Sequence, residues 1–276
     1  MNRFIFNFYN IFKKYFGIIK LLFSTLLIFL VFKDLNFKEY FIALESVSLS
    51  RYLLTYFFIS IGNVVIYAIK MNKIYLNNSL SFIESIKYIL NFRFYNLVAP
   101  MLTPAVKFNN FKKIDKSKEA LIFIFSEKTV ENLIYGFFCL LIYFKSYSYR
   151  FIILFTVVIV SYFFFKKNIF LILKLTVLLA ISKLFSALGL YILVLNFIQE
   201  INYFDVLLIS LLTTLVLSFP ISFGGLGVRE ITLSRLLAEV LDNSTILVIS
   251  NLLFTILLIN GILGFLINLS DKNEKQ

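Results

Sequence analysis

Residues 217–237 read LSFPISFGGLGVREITLSRLL. Between Pro220 and Glu230 this stretch holds one of the chain's three prolines, three of its nine glycines (Gly224, Gly225 and Gly227) and an Arg-Glu pair. What surrounds it decides how it is read. Of the 276 residues, 60% are hydrophobic and only 15% charged, against about 45–50% and about 25% in soluble domains. Nearly charge-free runs extend from Leu21 to Phe32, Tyr52 to Ile69, Leu133 to Phe144, Phe151 to Phe165, Leu184 to Ile198 and Thr245 to Leu269. A spanning helix takes about 20 mostly apolar residues, and each run reaches or approaches that with its flanks. None has the period-2 alternation of a barrel strand, so helices are the way for their backbones to pair internally in lipid.

The expected fold class is therefore all-α: a polytopic helical membrane protein with about six full spans and two re-entrant or broken-helix segments. It forms one integral membrane domain over residues 1–276, with halves at about 15–144 and 151–270 and no soluble domain. The first run follows Arg3, Lys13, Lys14 and Lys20 without a small-residue cleavage site, which reads as a retained anchor.

Charge placement orients the chain. Residues 70–119 carry nine Lys/Arg, the strongest cytoplasmic signal, and both termini are expected in the cytoplasm of a bacterial-type inner membrane. The net charge of +12 lies between apolar runs rather than in a basic domain. It argues for topology and anionic headgroups, not for nucleic acid. With no histidine and a single cysteine, Cys139, the chain lacks the commonest general base and any multi-Cys metal set. No catalytic residue, metal or cofactor is expected.

Within the cytoplasmic segment lies YILNFRFYNLVAPMLTP, residues 88–104, apolar yet interrupted by Arg93, Asn96, Pro100 and Pro104. Its flanks ask for the same side, so it reads as re-entrant or broken. It matches the opening stretch. An acid starts each segment, Glu84 and Asp205. A proline follows fifteen or sixteen residues later, Pro100 and Pro220, and a second breaker stands four further on, Pro104 and Gly224. Matching interrupted segments in oppositely oriented halves point to an inverted repeat with a midplane site.

At Pro220 a helix must stop, and the glycines allow positive φ and close backbone approach. A helix restarting near Leu226 is expected to aim free amides and its positive dipole end at a phosphate, with Arg229 one turn in, able to grip it with two parallel hydrogen bonds. Glu230 then balances or gates the cation. Glu127, Lys128 and Glu131 cluster at a helix start, and Lys183 interrupts an apolar run, where an ion is functional by default.

PISFGGLGVRE resembles the signature of the lysylphosphatidylglycerol synthase transmembrane region, the flippase-like family. NFRFYNLVAP, with Asn96 and Pro100, and FSEKTVEN, with Glu127 and Lys128, resemble two further segments of that family. The likeness spans nearly the whole chain, departing from the family at MLTPAVK after the first proline. It implies a protein that moves or presents anionic phospholipid, glycolipid or polyprenyl-linked lipid between leaflets, alone or beside a separately encoded synthase or glycosyltransferase. A membrane-embedded glycosyl or aminoacyl transferase is the alternative.

Overall fold

A computed structural model describes residues 35–76, 79–98, 131–140, 169–218 and 227–273, with Gly225 and short pieces at 22–33 and 106–107. Among the described residues the regular structure is helical: α1 (Phe37–Glu45), α2 (Leu49–Ser60), α3 (Ile66–Lys70), α4 (Phe82–Val98), α5 (Ile169–Val194), α6 (Tyr203–Ser218), α7 (Val228–Leu237) and α8 (Asn243–Asn273). Residues 131–140 are also helical. Among the described residues three stretches are long and apolar enough to cross a membrane: Leu49–Ile74, Lys174–Val194 and Asn243–Ile267. Tyr203–Ser218 is apolar but shorter. The expected spans at 120–144 and 151–165 lie largely or wholly outside the described residues.

The first of these long stretches is not a uniform α-helix. π turns at Ile61–Val65 and Met71–Tyr75 flank α3. Such widened turns displace carbonyls from the helical ladder and recur at functional sites. One such carbonyl, that of Asn63, accepts a hydrogen bond from Arg93 Nη2 of α4 at 3.0 Å.

α2 and α5 run antiparallel. Ser48 N donates to Asn196 Oδ1 at one end, Thr55 Oγ1 to the Gly189 carbonyl in the middle, and Ser182 Oγ to the Gly62 carbonyl further along. α8 runs alongside α2 in the same direction, joined through Tyr52–Thr255 and through Tyr56 and Ser60 at Asn260. α4 descends against α8. Gly264 meets the Leu90 backbone, and Gly261 meets Leu97. Small residues at such crossings let helices approach in lipid, where no hydrophobic drive holds them together.

This register bears on the expected interruption at 88–104. α4 is continuous through Arg93 and Asn96, so neither residue breaks it. Arg93 is accommodated because the Asn63 carbonyl and the Tyr67 ring receive its guanidinium, while Asn96 is exposed. α4 is described up to Val98, two residues before Pro100. α6 is described up to Ser218, two residues before Pro220.

Two further features lie outside the sequence expectations. The segment after the first apolar run forms α1, capped by Asn36 Oδ1 through the amides of Lys38 and Glu39. Its Phe37, Phe41 and Ile42 are exposed, and Tyr40 OH accepts from Asn251 of α8. Asp242 caps α8 through the amide and hydroxyl of Thr245. Partial burial raises that carboxyl, but these donors outweigh it and hold it below its ordinary value.

The buried apolar residues form two clusters. One is gathered from α3 and its π turns, α4, residues 131–140, α5 and α6. The other joins α5, α6, α7 and α8. Polar groups of interest border both.

Candidate functional site

Arg229 and Glu230 open α7, and both are buried: 3% and 6% exposed. The local sequence dictates how they arrive there. Gly225 and Gly227 take φ of 83° and 78°, a left-handed region costly for other residues. Gly227 is the N-cap, so α7 begins at Val228, within two residues of the restart expected near Leu226. This turn corrects the expectation of free amides at one position, Arg229. Arg229 N donates to the Gly225 carbonyl and Ile231 N to the Gly227 carbonyl, both at 3.0 Å. The Ile231 bond is the helix's own first one, whereas the positive-φ turn brings the Gly225 carbonyl back onto Arg229 N, a donor that an ordinary entry leaves open.

The side chains carry the open valences. Arg229 packs its guanidinium over the Phe254 ring, 5.6 Å from the centroid. Its Nη1 is buried without a hydrogen-bond partner. Glu230 does not pair with it. One carboxylate oxygen, Oε1, accepts from Ser250 Oγ at 2.8 Å, and the other, Oε2, is buried and unpartnered. Ser250 and Phe254 stand four residues apart on one face of α8, so that face holds both members of the pair. Thr213 Oγ1 of α6 is the remaining buried polar atom without a partner among the described residues.

Gly225 makes the room. A Cβ built there would stand 2.7 Å from Leu217 Cδ2 and 3.5 Å from Arg229 Nη2. The guanidinium therefore lies against the bare Cα of the turn. Leu217 and Thr213 are one turn apart on α6, so the α6 face carrying the orphaned hydroxyl is the face that meets the turn.

Of the other expected site residues, Pro100, Glu127, Lys128, Pro220 and Gly224 lie outside the described residues. Asn96 is exposed on α4, away from Arg229. Lys183 is buried but belongs to a second group of charges: its Nζ donates to Thr214 Oγ1 at 2.8 Å and lies 4.7 Å from the Tyr135 ring centroid. Glu131 joins that group through an ion pair with Lys70 and a 2.8 Å hydrogen bond from Tyr67 OH.

Lys70 and Arg93 were expected to mark the cytoplasmic face or to interrupt a helix. Lys70 is instead 1% exposed. Its position at the end of an apolar run fits an edge charge, and nothing local to it announces Glu131, 61 residues away. Among the described residues no group of three or more His, Cys, Asp or Glu stands together to hold a metal. Comparison of the chain with family models, with characterised proteins and with solved structures returns no match.

Proposed function

We propose that the chain is a flippase-like membrane protein whose Arg229 grips the phosphate of an anionic lipid, phospholipid or lipid-linked sugar, as the lipid passes between leaflets of a bacterial-type inner membrane. The observation that carries this reading is the buried, unpartnered Nη1. An unpaired charged group out of water costs several kcal/mol. An arginine bears that cost where its partner arrives during function. Phosphate fits the vacancy, because a planar guanidinium offers two parallel donors to its oxygens. Ser250 holds Glu230 on α8, which keeps the neighbouring carboxylate from closing the guanidinium edge.

An inverted repeat supplies the frame for moving such a lipid, and a single offset supports it. Pro100 and Pro220 stand 120 residues apart, each following an apolar helix, α4 and α6. Asn63, whose carbonyl receives Arg93, stands 120 residues before Lys183, which reaches Thr214. Gly62 and Ser182 share this offset and touch each other across the antiparallel α2–α5 pair. A two-fold axis in the membrane plane, which the proposed repeat requires, would bring equivalent residues together in this way.

The test is reconstitution of the purified chain in vesicles carrying a fluorescent anionic phospholipid, with a membrane-impermeant quencher reporting the outer leaflet. The expected result is lipid exchange between leaflets at least tenfold faster than in protein-free vesicles. Exchange at the protein-free rate, with no nucleotide, ion gradient or partner restoring it, contradicts the proposal.

A further inference from the structure

Among the described residues three buried side-chain polar atoms have no hydrogen-bond partner: Arg229 Nη1, Glu230 Oε2 and Thr213 Oγ1. Their residues are 3%, 6% and 8% exposed. A lipid phosphate answers the first of these atoms and burdens the second. Phosphate oxygens accept hydrogen bonds, as Oε2 does, and two negative acceptors repel each other strongly where the dielectric constant is low. Glu230 cannot swing aside without giving up Ser250 Oγ, 2.8 Å from Oε1. The helices around it bring no second cation. α7 packs on α6 and α8; α8 carries no charged residue between Asn243 and Leu269, and α6 carries only Asp205, about two turns before Thr213. A buried carboxylate oxygen left unmatched is costly, whereas a ligand that supplies its donor turns that cost into selectivity.

The donor has to stand close to the phosphate. Ser250 and Phe254, which meet Glu230 and Arg229 on α8, are one helical turn apart, a rise of about 6 Å. A hydroxyl on a short alcohol esterified to the phosphate spans such a distance. An ammonium would also suit the carboxylate, but it would leave the lipid without net charge, and a chain of net charge +12 gathers anionic headgroups. A hydroxyl keeps the lipid anionic. It also matches Thr213 Oγ1, able to donate or accept, on the α6 face that meets the Gly225 turn.

We propose that Glu230 reads the alcohol of the headgroup: Oε2 accepts a hydrogen bond from a hydroxyl of a phosphodiester lipid whose phosphate lies on Arg229, with Thr213 beside it. The proposal rests on the Arg229 reading and names the ligand class of that site, a polyol or sugar phosphodiester. A glycerol headgroup and a lipid-linked sugar share this chemistry. Arg229 then sets affinity for any phosphodiester, and Glu230 sets which alcohol is preferred.

The experiment is calorimetric titration of the full-length protein in detergent with dioctanoyl lipids. Phosphatidylglycerol and phosphatidylinositol carry hydroxyls on an open-chain and a ring alcohol, phosphatidylmethanol has the same charge and no hydroxyl, and phosphatidylethanolamine carries an ammonium. Expected is saturable binding of a hydroxylated lipid at least tenfold tighter than phosphatidylmethanol; the tighter of the two assigns a glycerol-like or a sugar-like headgroup, and either supports the site. Glu230→Gln keeps the shape and an oxygen for Ser250 but turns the open position from acceptor into donor. It should bring phosphatidylmethanol within twofold of the hydroxylated lipids, whereas loss of a purely structural carboxylate would weaken every lipid alike and leave the ratio unchanged. Thr213→Val should narrow the preference by a smaller factor, and the parent chain decides the headgroup question even where a variant misfolds. Arg229→Ala should weaken all the lipids together. Equal parental affinities with and without the hydroxyl, or tightest binding of phosphatidylethanolamine, overturn the proposal and leave the phosphate grip standing. Failure of every lipid to bind overturns both.

Discussion

Gly264→Ala is expected to unfold or disassemble the bundle, although alanine favours a helix over glycine by about 1 kcal/mol. The added methyl would stand 2.1 Å from the Leu90 carbonyl oxygen and 2.5 Å from its carbon. Both are backbone atoms of α4, so no side chain can rotate away. α4 has to retreat along its packing on α8, and close-packed interiors charge about 1–3 kcal/mol or more for such overfilling. The retreat also loosens the ring contact beside the crossing, Phe94–Phe265. Gly136→Ala is the matched control, because a Cβ there meets nothing within 4 Å. Thermal unfolding in detergent should give Gly136→Ala at or slightly above the parent midpoint and Gly264→Ala at least 5 °C below it, or aggregated. Equal midpoints for the two would contradict the described α4–α8 contact.

Gly225→Val is expected to cut lipid exchange at least tenfold. Two independent costs meet at this residue. A β-branched side chain at φ of 83° is strained by about 1–3 kcal/mol. Its Cβ also presses on Leu217 at 2.7 Å and comes within 3.5 Å of Arg229 Nη2, filling the space beside the guanidinium. Gly225→Asn separates the two, since asparagine tolerates positive φ but still carries a Cβ. If space beside Arg229 matters, the asparagine variant folds normally and still exchanges lipid slowly. Parental exchange by Gly225→Asn would reduce the role of this glycine to its backbone angle.

Much of this arrangement is written locally. Apolar runs separated by charge give the long helices. The motif around Arg229 is likewise compact: glycines, a helix start and a charged pair fall within a few residues, so their proximity needs no tertiary knowledge. What the sequence conceals is long-range pairing. Lys70 has the look of an edge charge, and only the packing of residues 131–140 against α3 makes it a buried partner of Glu131. Arg93 reads as a helix breaker because its acceptor, a carbonyl released by a π turn at Asn63, leaves no trace in residue type. The open edge of Arg229 has the same origin. Nothing in the Arg-Glu dipeptide says that Ser250, on another helix, engages the carboxylate.

The central claim is that Arg229 holds a lipid phosphate, and the most direct measurement compares Arg229→Ala and Arg229→Lys with the parent chain in the leaflet-resolved vesicle assay. Losing a charge-assisted hydrogen bond costs about 1.5–3 kcal/mol, so the alanine variant is expected to exchange lipid roughly 10- to 100-fold more slowly. Lysine keeps the charge but not the planar two-bond grip and should fall between. Both should insert and fold, because the guanidinium's contact with the Phe254 ring contributes about 0.5–2 kcal/mol, less than the several kcal/mol that its unpaired burial costs. Parental exchange by a folded Arg229→Ala protein would contradict the account and leave the Arg-Glu pair as a mark of where the helix begins.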